Sequence, residues 1–217
     1  MSELQQRLSS RAFALLCLSV FLAYSHQAFL TPTVPLYVTD LGGSTLMAGL
    51  VLLSFSIPSF TFRPLVGYWT DTWNVFGVLI IGTLLLATGA ILHLPRVLGL
   101  LFLAGAVRGL GWAGLNTGGF SLLAHIAPSA RRGEAASYYN ISTASPNTLF
   151  PALAIFLLDV PHAGFVAVFL LSAGTALLAT LTGASIPREK ILSEQRQIKS
   201  QKLSLSLLLE PSILLPT

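Results

Sequence analysis

The sequence predicts an all-α integral membrane protein with six transmembrane helices. Of its 217 residues, 53% are hydrophobic and only 9% are charged, whereas a typical soluble domain carries about 25% charged residues. Six apolar stretches each have about the 20 residues that a helix needs to cross a bilayer. Most of the basic residues also fall on one side of the membrane that these stretches define. Together these observations exclude a water-soluble globular domain.

The six predicted spans cover residues 13–31, 46–65, 75–94, 98–123, 135–158 and 163–184. Short polar turns end the first three of them. The turn after the first span contains Asp40 and Gly43, and the turn after the second contains Asp71. The third span ends at Pro95 and Arg96. Aspartate, glycine and proline are typical of turns, and connections this short favour antiparallel helices packed side by side.

The last three spans are bounded in the same way. The fourth ends before a turn that starts at Pro128, and the fifth ends at Asp159 and Pro161. The sixth ends before Pro187, where the composition becomes polar and basic. We therefore expect residues 1–187 to form one six-helix bundle.

The proline positions indicate an internal repeat. The second span contains Pro58 and Pro64, and the fifth contains Pro146 and Pro151. Each of these two spans follows a helix with polar residues inside it. Membrane bundles are often built from structural repeats, and this pattern predicts two three-helix repeats.

Two segments follow the predicted bundle. Residues 188–206 are polar and are predicted to form a cytoplasmic linker. Residues 207–217 return to an apolar run and are interpreted as the truncated start of a seventh helix. The alternative is an amphipathic tail on the membrane surface, although Pro211 and Pro216 make this run a poor amphipathic helix.

The basic residues predict the orientation of the bundle. Ten of the 12 Lys and Arg residues lie beside the N-terminus, the even-numbered loops and the tail: Arg7, Arg11, Arg63, Arg131, Arg132, Arg188, Lys190, Arg196, Lys199 and Lys202. Only Arg96 flanks the opposite side, and Arg108 lies inside a span. The positive-inside rule therefore places both termini in the cytoplasm. The net charge of +4 reflects this topology and gives no reason to expect nucleic-acid binding.

The first thirty residues leave one alternative open. Arg7 and Arg11 precede the first apolar run, as basic residues precede the apolar core of a secretory signal peptide. Cleavage of such a peptide would leave five spans and reverse the charge bias. A first transmembrane helix is therefore the favoured interpretation.

Polar residues inside the fourth span are the strongest candidates for a binding site. Arg108, Trp112 and Asn116 follow one another at four-residue spacing, which places them on one helical face. A charged residue at the bilayer centre costs about 2.5–3.5 kcal/mol on insertion scales, and it is seldom found there unless it faces a cavity or a partner. The alternative for Arg108 is a structural role, with its guanidinium bonded to neighbouring carbonyl groups.

The first span contributes a second polar face. Tyr24, Gln27 and Thr31 share this face, and His26 lies beside it. A water-filled cavity between this face and the face of Arg108 would solvate both. His26 is either a titrating or ligand-binding group or a neutral histidine hydrogen-bonded within the bundle. The other three histidines, His93, His125 and His162, lie near span ends and are given no role.

Signatures of an enzyme are lacking in the sequence. It contains no His-Glu-x-x-His, no Gly-x-Ser-x-Gly and no Gly-rich loop ending in Gly-Lys-Ser/Thr. The single cysteine, Cys17, allows neither a cysteine cluster nor an internal disulfide. We predict no catalytic residue, no metal ion and no cofactor. An intramembrane enzyme is an alternative that would require a nucleophile and a base within the spans.

Two loops resemble those of the major facilitator superfamily. After the second span, Gly67 is followed four residues later by Asp71, as in the signature between helices two and three of that family. Residues 72–74 replace the basic cluster that usually follows. The loop from Pro128 to Ala135 reads Pro-Ser-Ala-Arg-Arg-Gly-Glu-Ala and is similar to the family's loop between helices four and five.

The resemblance implies the N-terminal six-helix half of a secondary transporter that normally has twelve helices. Such a protein moves a small organic solute by alternating access, here by efflux across the cell inner (plasma) membrane. The resemblance implies a substrate cavity lined in this half by Tyr24, His26, Gln27, Arg108, Trp112 and Asn116. It implies a cytoplasmic gate formed by Gly67, Asp71, Arg131, Arg132 and Glu134.

The resemblance also implies partners. A lone half exposes its cavity face and has nothing to rock against, so we expect it to be inactive in isolation. Its protein partner is either the missing C-terminal half or a second copy of the chain. The chain itself is also expected to contact the lipid bilayer and a small-molecule substrate. The alternative function is a six-span membrane scaffold or accessory subunit that transports nothing itself.

Overall fold

The computed structural model describes residues 10–160 and 164–188. Within these ranges the chain forms α-helices and one short 3₁₀ turn, Ser129–Arg131, and contains no strand. The helices are α1 (Arg11–Asp40), α2 (Thr45–Thr61), α3 (Arg63–Thr72), α4 (Val75–Ile91), α5 (Leu98–Ile126), α6 (Arg132–Asp159) and α7 (Gly164–Ala184). All of them belong to one compact unit that ends at Ile186. The predicted linker, beyond Arg188, and the predicted seventh-helix segment lie outside the described residues.

Several of these helices are long and apolar enough to cross a membrane. The helices α1, α5 and α7 meet this condition, as does α6 together with the 3₁₀ turn before it. The pair α2 and α3 forms a fifth candidate span, bent by 42°. Helix α4 is apolar but has only 17 residues, fewer than the ~20 that span a typical bilayer. The described part of the chain is therefore the all-α bundle of a multi-pass membrane protein.

The helix ends differ from the predicted span ends. The first predicted span ends at residue 31, whereas α1 continues through Pro32 and Pro35 to Asp40. Asp71, predicted in a turn, lies inside α3. Hydropathy marks where the apolar segment ends, but a helix continues for as long as its backbone hydrogen bonds can form. The polar pattern therefore did not locate these helix termini.

The bend between α2 and α3 has a local cause. Phe62 ends α2 and immediately precedes α3, and Pro64 occupies the first turn of α3. Proline has no N–H group, so Pro64 cannot donate to the carbonyl group four residues earlier, at Phe60. Proline is tolerated in the first turn of a helix, and the backbone restarts there at a new angle. The second predicted span is therefore divided into two helices.

Glycines allow α5 to pack closely against its neighbours. A Cβ atom built at Gly82 of α4 would lie 2.7 Å from the backbone nitrogen of Leu115, and one built at Gly114 would lie 2.9 Å from the Cα atom of Gly82. A Cβ atom at Gly109 would collide with the carbonyl oxygen of Phe55 on α2. Small residues of this kind let helix backbones approach each other in lipid.

Two helices remain largely unburied. Helix α2 buries only Ala48, Val51 and Ser59, and α6 buries only Ala135, Tyr139, Pro146 and Ala154. Long apolar side chains cover their outer faces, among them Leu53, Ile57, Phe60, Ile141, Leu149 and Phe156. Within the described residues these faces are not covered, so they are available to lipid or to another protein.

Candidate functional site

Arg108 lies in the middle of α5 and is only 4% exposed. Its Nη2 atom donates a hydrogen bond of 2.6 Å to Oε1 of Gln27 on α1. Its Nε atom lies 3.4 Å from Nε2 of His26, also on α1. The guanidinium carbon lies 5.1 Å from the ring centroid of Phe55 on α2, within the range of a cation–π contact. Neutral groups of two helices therefore hold this charge.

No acidic side chain of the described residues pairs with Arg108. The ion pairs found there join Arg96 to Asp40 and Arg131 to Glu134. A buried charge without a counterion is costly, and such residues within membrane spans mark functional sites by default. The absence of a neutralising carboxylate leaves a positive potential inside the bundle.

His26 is fully buried and connects three helices. Its Nε2 atom accepts from Arg108 on α5, so the imidazole, when neutral, carries its hydrogen on Nδ1. That Nδ1 lies 2.8 Å from the hydroxyl oxygen and 3.2 Å from the carbonyl oxygen of Ser172 on α7. Both ring nitrogens therefore have partners within the protein, which link Arg108 of α5 through the ring to α7.

A second polar group lies one to two turns further along α5. The hydroxyl of Tyr24 donates to Oδ1 of Asn116 at 2.8 Å, and Nδ2 of Asn116 donates to the carbonyl of Trp112 at 2.9 Å. The rings of Tyr24 and Trp112 pack with centroids 4.7 Å apart. The structure thus brings all six residues predicted for the cavity to a single seam between α1 and α5.

A cavity of about 230 Å³ adjoins this seam. It is lined by α1, α2 and α5 and by one residue that follows α4: Gln27, Leu30, Thr31, Val34, Val51, Leu52, Phe55, Ser56, Gly105, Arg108 and His93. Of the six predicted cavity residues, Gln27 and Arg108 line this space. A larger cavity of about 600 Å³, between α3, α4 and α5, has only apolar and aromatic walls and contains none of the six.

Two of the five predicted gate residues, Arg131 and Glu134, form an ion pair in the structure. The Nε and Nη2 atoms of Arg131 donate to the two carboxylate oxygens of Glu134 at 2.8 and 2.7 Å. Arg132 is exposed at the start of α6. Gly67 and Asp71 both lie on α3, and Asp71 is exposed without an ion pair in the described part of the chain.

Four further residues shape the site without having been singled out in the sequence. Ser172 and Phe55 hold His26 and Arg108, and His93 lines the cavity. A Cβ atom at Gly89 would collide with Cγ of Arg108, so this glycine makes room for the arginine stem. Ser172 could have been identified from the sequence, because it is a polar residue within the apolar run of α7. No local pattern distinguishes Gly89 or Phe55 from the many glycines and phenylalanines of the chain.

These features define a class of protein. A multi-pass helical bundle that encloses an unneutralised charge beside a small, partly polar cavity is typical of membrane transporters. The chain belongs to the Major Facilitator Superfamily, whose family model matches residues 16–215. This membership confirms the resemblance read from the two loops.

The chain is similar to two curated proteins. It is 30% identical over 163 residues to the fosmidomycin resistance protein of Escherichia coli (strain K12), a match that covers 75% of this chain and 39% of that protein. It is 24% identical over 199 residues to multidrug resistance protein 1 of Bacillus subtilis (strain 168), covering 91% of this chain and 50% of that protein. The chain therefore spans about half the length, or less, of these relatives.

Proposed function

We propose that the chain is the N-terminal six-helix half of a secondary transporter that exports a small organic solute by alternating access. The observation that carries this proposal is the seam between α1 and α5, where Arg108 is buried beside a cavity without a counterion. The names of the two relatives, both resistance proteins, support efflux as the direction of transport. We further propose that the membrane is the cell inner (plasma) membrane.

The proposal counts six crossings, with α2 and α3 as one bent span and α4 as a short one. It groups them into two repeats, α1 to α4 and α5 to α7. The packing of the described helices supports this grouping: α1 packs against α6 and α7, and α5 packs against α2 and α4. The first helix of each repeat thus contacts the second and third spans of the other, as a twofold arrangement requires.

The exposed faces of α2 and α6 support a proposal for where a partner would bind. These are the second spans of the two proposed repeats, and both carry long apolar side chains that the described bundle leaves uncovered. In transporters built from repeats, the substrate site lies near the midplane at the interface of the repeated units. We propose that a C-terminal half, or a second copy, docks on α2 and α6 and closes the cavity.

In this arrangement the six seam residues line this half of the substrate cavity. Arg108 orients a polar or anionic group, and Trp112 offers an aromatic face. Gly67, Asp71, Arg131, Arg132 and Glu134 belong to the gate on the cytoplasmic side, where both termini lie.

The coding sequence downstream of Thr217 is the first test. Six further spans support a half-transporter, whereas a stop codon favours a dimer of halves or a six-span scaffold. A transport assay is the second test. Vesicles that contain the isolated monomer should show no saturable, gradient-driven transport, and such transport would overturn the proposal.

In the complete assembly, Arg108→Gln should lower transport about thirtyfold, the equivalent of about 2 kcal/mol. The exposed Arg11→Gln, at the start of α1, serves as the control. Unchanged transport in Arg108→Gln would contradict a role in the cavity.

A further inference from the structure

His93 is a fully buried residue that follows α4. Its Nδ1 atom lies 2.7 Å from the carbonyl oxygen of Gly89. Since a carbonyl oxygen only accepts, Nδ1 must carry the hydrogen, and the Nε2 atom of the neutral ring is then an acceptor. The bond satisfies one of the free carbonyl groups at the end of α4. This capping role accounts for one nitrogen of the ring and leaves the other unexplained.

The Nε2 atom of His93 has no hydrogen-bond partner in the described part of the chain. Buried polar atoms are rarely left in this state, because their desolvation is not repaid. The ring packs against Phe169 of α7 with centroids 5.1 Å apart, and this neighbour offers no donor. His93 does line the 230 Å³ cavity that it shares with Arg108 and Gln27. That space is large enough for several water molecules of about 30 Å³ each, or for a small ligand group.

The charged and titratable groups around His93 are few. Among the described residues they are Arg108 from α5 and His26 from α1, whereas α2 contributes Phe55 and Ser56 to the cavity and none that can carry a charge. Arg108 uses Nε and Nη2 in its bonds to α1, and its Nη1 atom forms no hydrogen bond within the described ranges. The residues that line the cavity therefore include an arginine that no carboxylate of the described residues neutralises and a histidine whose buried Nε2 has no donor there.

We propose that this cavity binds a phosphate-type monoanion, an oxyacid group that carries one negative charge and keeps one O–H. A charged oxygen of the ligand pairs with the guanidinium of Arg108, and the remaining O–H of the ligand donates to Nε2 of His93. The proton arrives and leaves on the ligand, so the imidazole stays neutral. This inference rests on the proposed function, since it names the substrate class of the same cavity and adds His93 as a specificity-determining residue.

Two probes of equal charge and shape test the proposal. Methyl phosphate at about pH 5, below its second pKa of about 6, is a monoanion with one O–H, whereas methyl sulfate is a monoanion without one. The 217-residue chain is placed in phosphatidylcholine nanodiscs, and Trp112 fluorescence reports binding in a Trp69→Phe/Trp73→Phe background. Methyl phosphate should bind about tenfold more tightly than methyl sulfate, because only its O–H satisfies Nε2.

Variants assign this preference to individual groups. His93→Phe keeps a ring against Phe169 but removes both nitrogens, so the two anions should bind equally. His93→Gln restores an amide oxygen near the position of Nε2 and should recover part of the preference, whereas His125→Phe, near the end of α5, should leave it unchanged. Arg108→Gln should weaken both anions about thirtyfold, and Arg11→Gln, at the exposed start of α1, should weaken neither.

Equal binding of the two anions by the unmodified pocket would overturn the inference, as would a preference that survives His93→Phe. A folded chain that binds neither anion would overturn it too, and would show that water alone fills the cavity. If phosphatidic acid added to the nanodiscs displaces methyl phosphate, the same chemistry is supported and a lipid headgroup is identified as its source.

Binding and transport can fail separately. An assembly that transports a neutral or cationic solute but whose pocket binds no anion overturns this inference and leaves the proposed function in place. A pocket that binds methyl phosphate in an assembly that transports nothing supports the site and overturns the proposed function.

Discussion

Two arginines of this bundle, Arg96 and Arg108, are held in opposite ways. Arg96 precedes α5 and donates to Asp40 at the end of α1 at 2.6 Å, with the two side chains 62% and 41% exposed. Arg108 is buried in the middle of α5 and is bonded to the neutral side chains of Gln27 and His26. Water weakens the exposed pair, whereas nothing in the described bundle neutralises the buried charge. The comparison shows that hydrogen bonds fix the position of the buried guanidinium, whereas no negative group of the described residues neutralises its charge.

The largest effect should follow from removing a neutral support of the buried charge. Gln27→Leu deletes the acceptor that lies 2.6 Å from Arg108 and should lower the free energy of unfolding by about 3 kcal/mol, because a buried charged donor loses its partner. The measurement is a denaturant titration in detergent micelles. Adding Arg108→Met should recover most of the loss, because the charge that needed the support is then gone.

Asn147→Leu provides the matched control, since it removes an amide from the exposed face of α6. It should change the unfolding free energy by only a few tenths of a kcal/mol. If Gln27→Leu is as stable as the unmodified chain, the guanidinium does not depend on α1.

A smaller effect should follow from crowding the stem of the same arginine. Gly89→Ala places a Cβ against Cγ of Arg108 and 3.0 Å from the carbonyl oxygen of Ala104. The strain should lower the unfolding free energy by about 2 kcal/mol. Gly99→Ala, where nothing lies within 4 Å, should be neutral or slightly stabilising in the same titration. Equal unfolding free energies of the two variants would mean that α4 shifts to accommodate the added methyl group without loss of stability.

The second polar group of the seam should be worth less, because no charge is involved. Tyr24→Phe removes the hydroxyl that donates to Oδ1 of Asn116 and should cost about 1 kcal/mol. Tyr138→Phe on the exposed face of α6 is the matched control. A loss as large as that of Gln27→Leu would show that the two polar groups of the seam form one coupled network.

The surface pair should give the smallest effect. Asp40→Asn removes the carboxylate that Arg96 contacts and should cost at most about 0.5 kcal/mol, a loss that disappears at high salt. Unfolding titrations at low and high salt measure it. A salt-independent loss of several times this size would place the pair in a low-dielectric environment and remove the contrast with Arg108.

Much of the fold was readable from the sequence because the bilayer imposes its own rules. Segments of about 20 apolar residues and a biased charge distribution follow from the cost of moving polar groups into hydrocarbon. The same cost made Arg108 conspicuous within its span. Four-residue spacing then predicted that Trp112 and Asn116 share its face, and both do contribute to the seam.

The hydrogen-bond partners of these residues could not be predicted from the sequence. His26 and Ser172 are 146 residues apart in the chain, and Gln27 and Arg108 are 81 residues apart. Which helices pack together depends on how small residues such as Gly82 and Gly114 let two backbones approach each other. In lipid no hydrophobic force drives helices together, so the hydrophobic pattern of a single helix does not identify its neighbours.

The sequence by itself determined the membrane class, the apolar stretches and the polar residues that are costly within them, since each follows from the transfer of single residues between water and lipid. Only the tertiary structure decided that Arg108 is held by neutral groups, and that His93, which lies near a span end, is buried beside the same cavity. Those outcomes depend on contacts between distant segments, and such contacts exist only once the helices have packed.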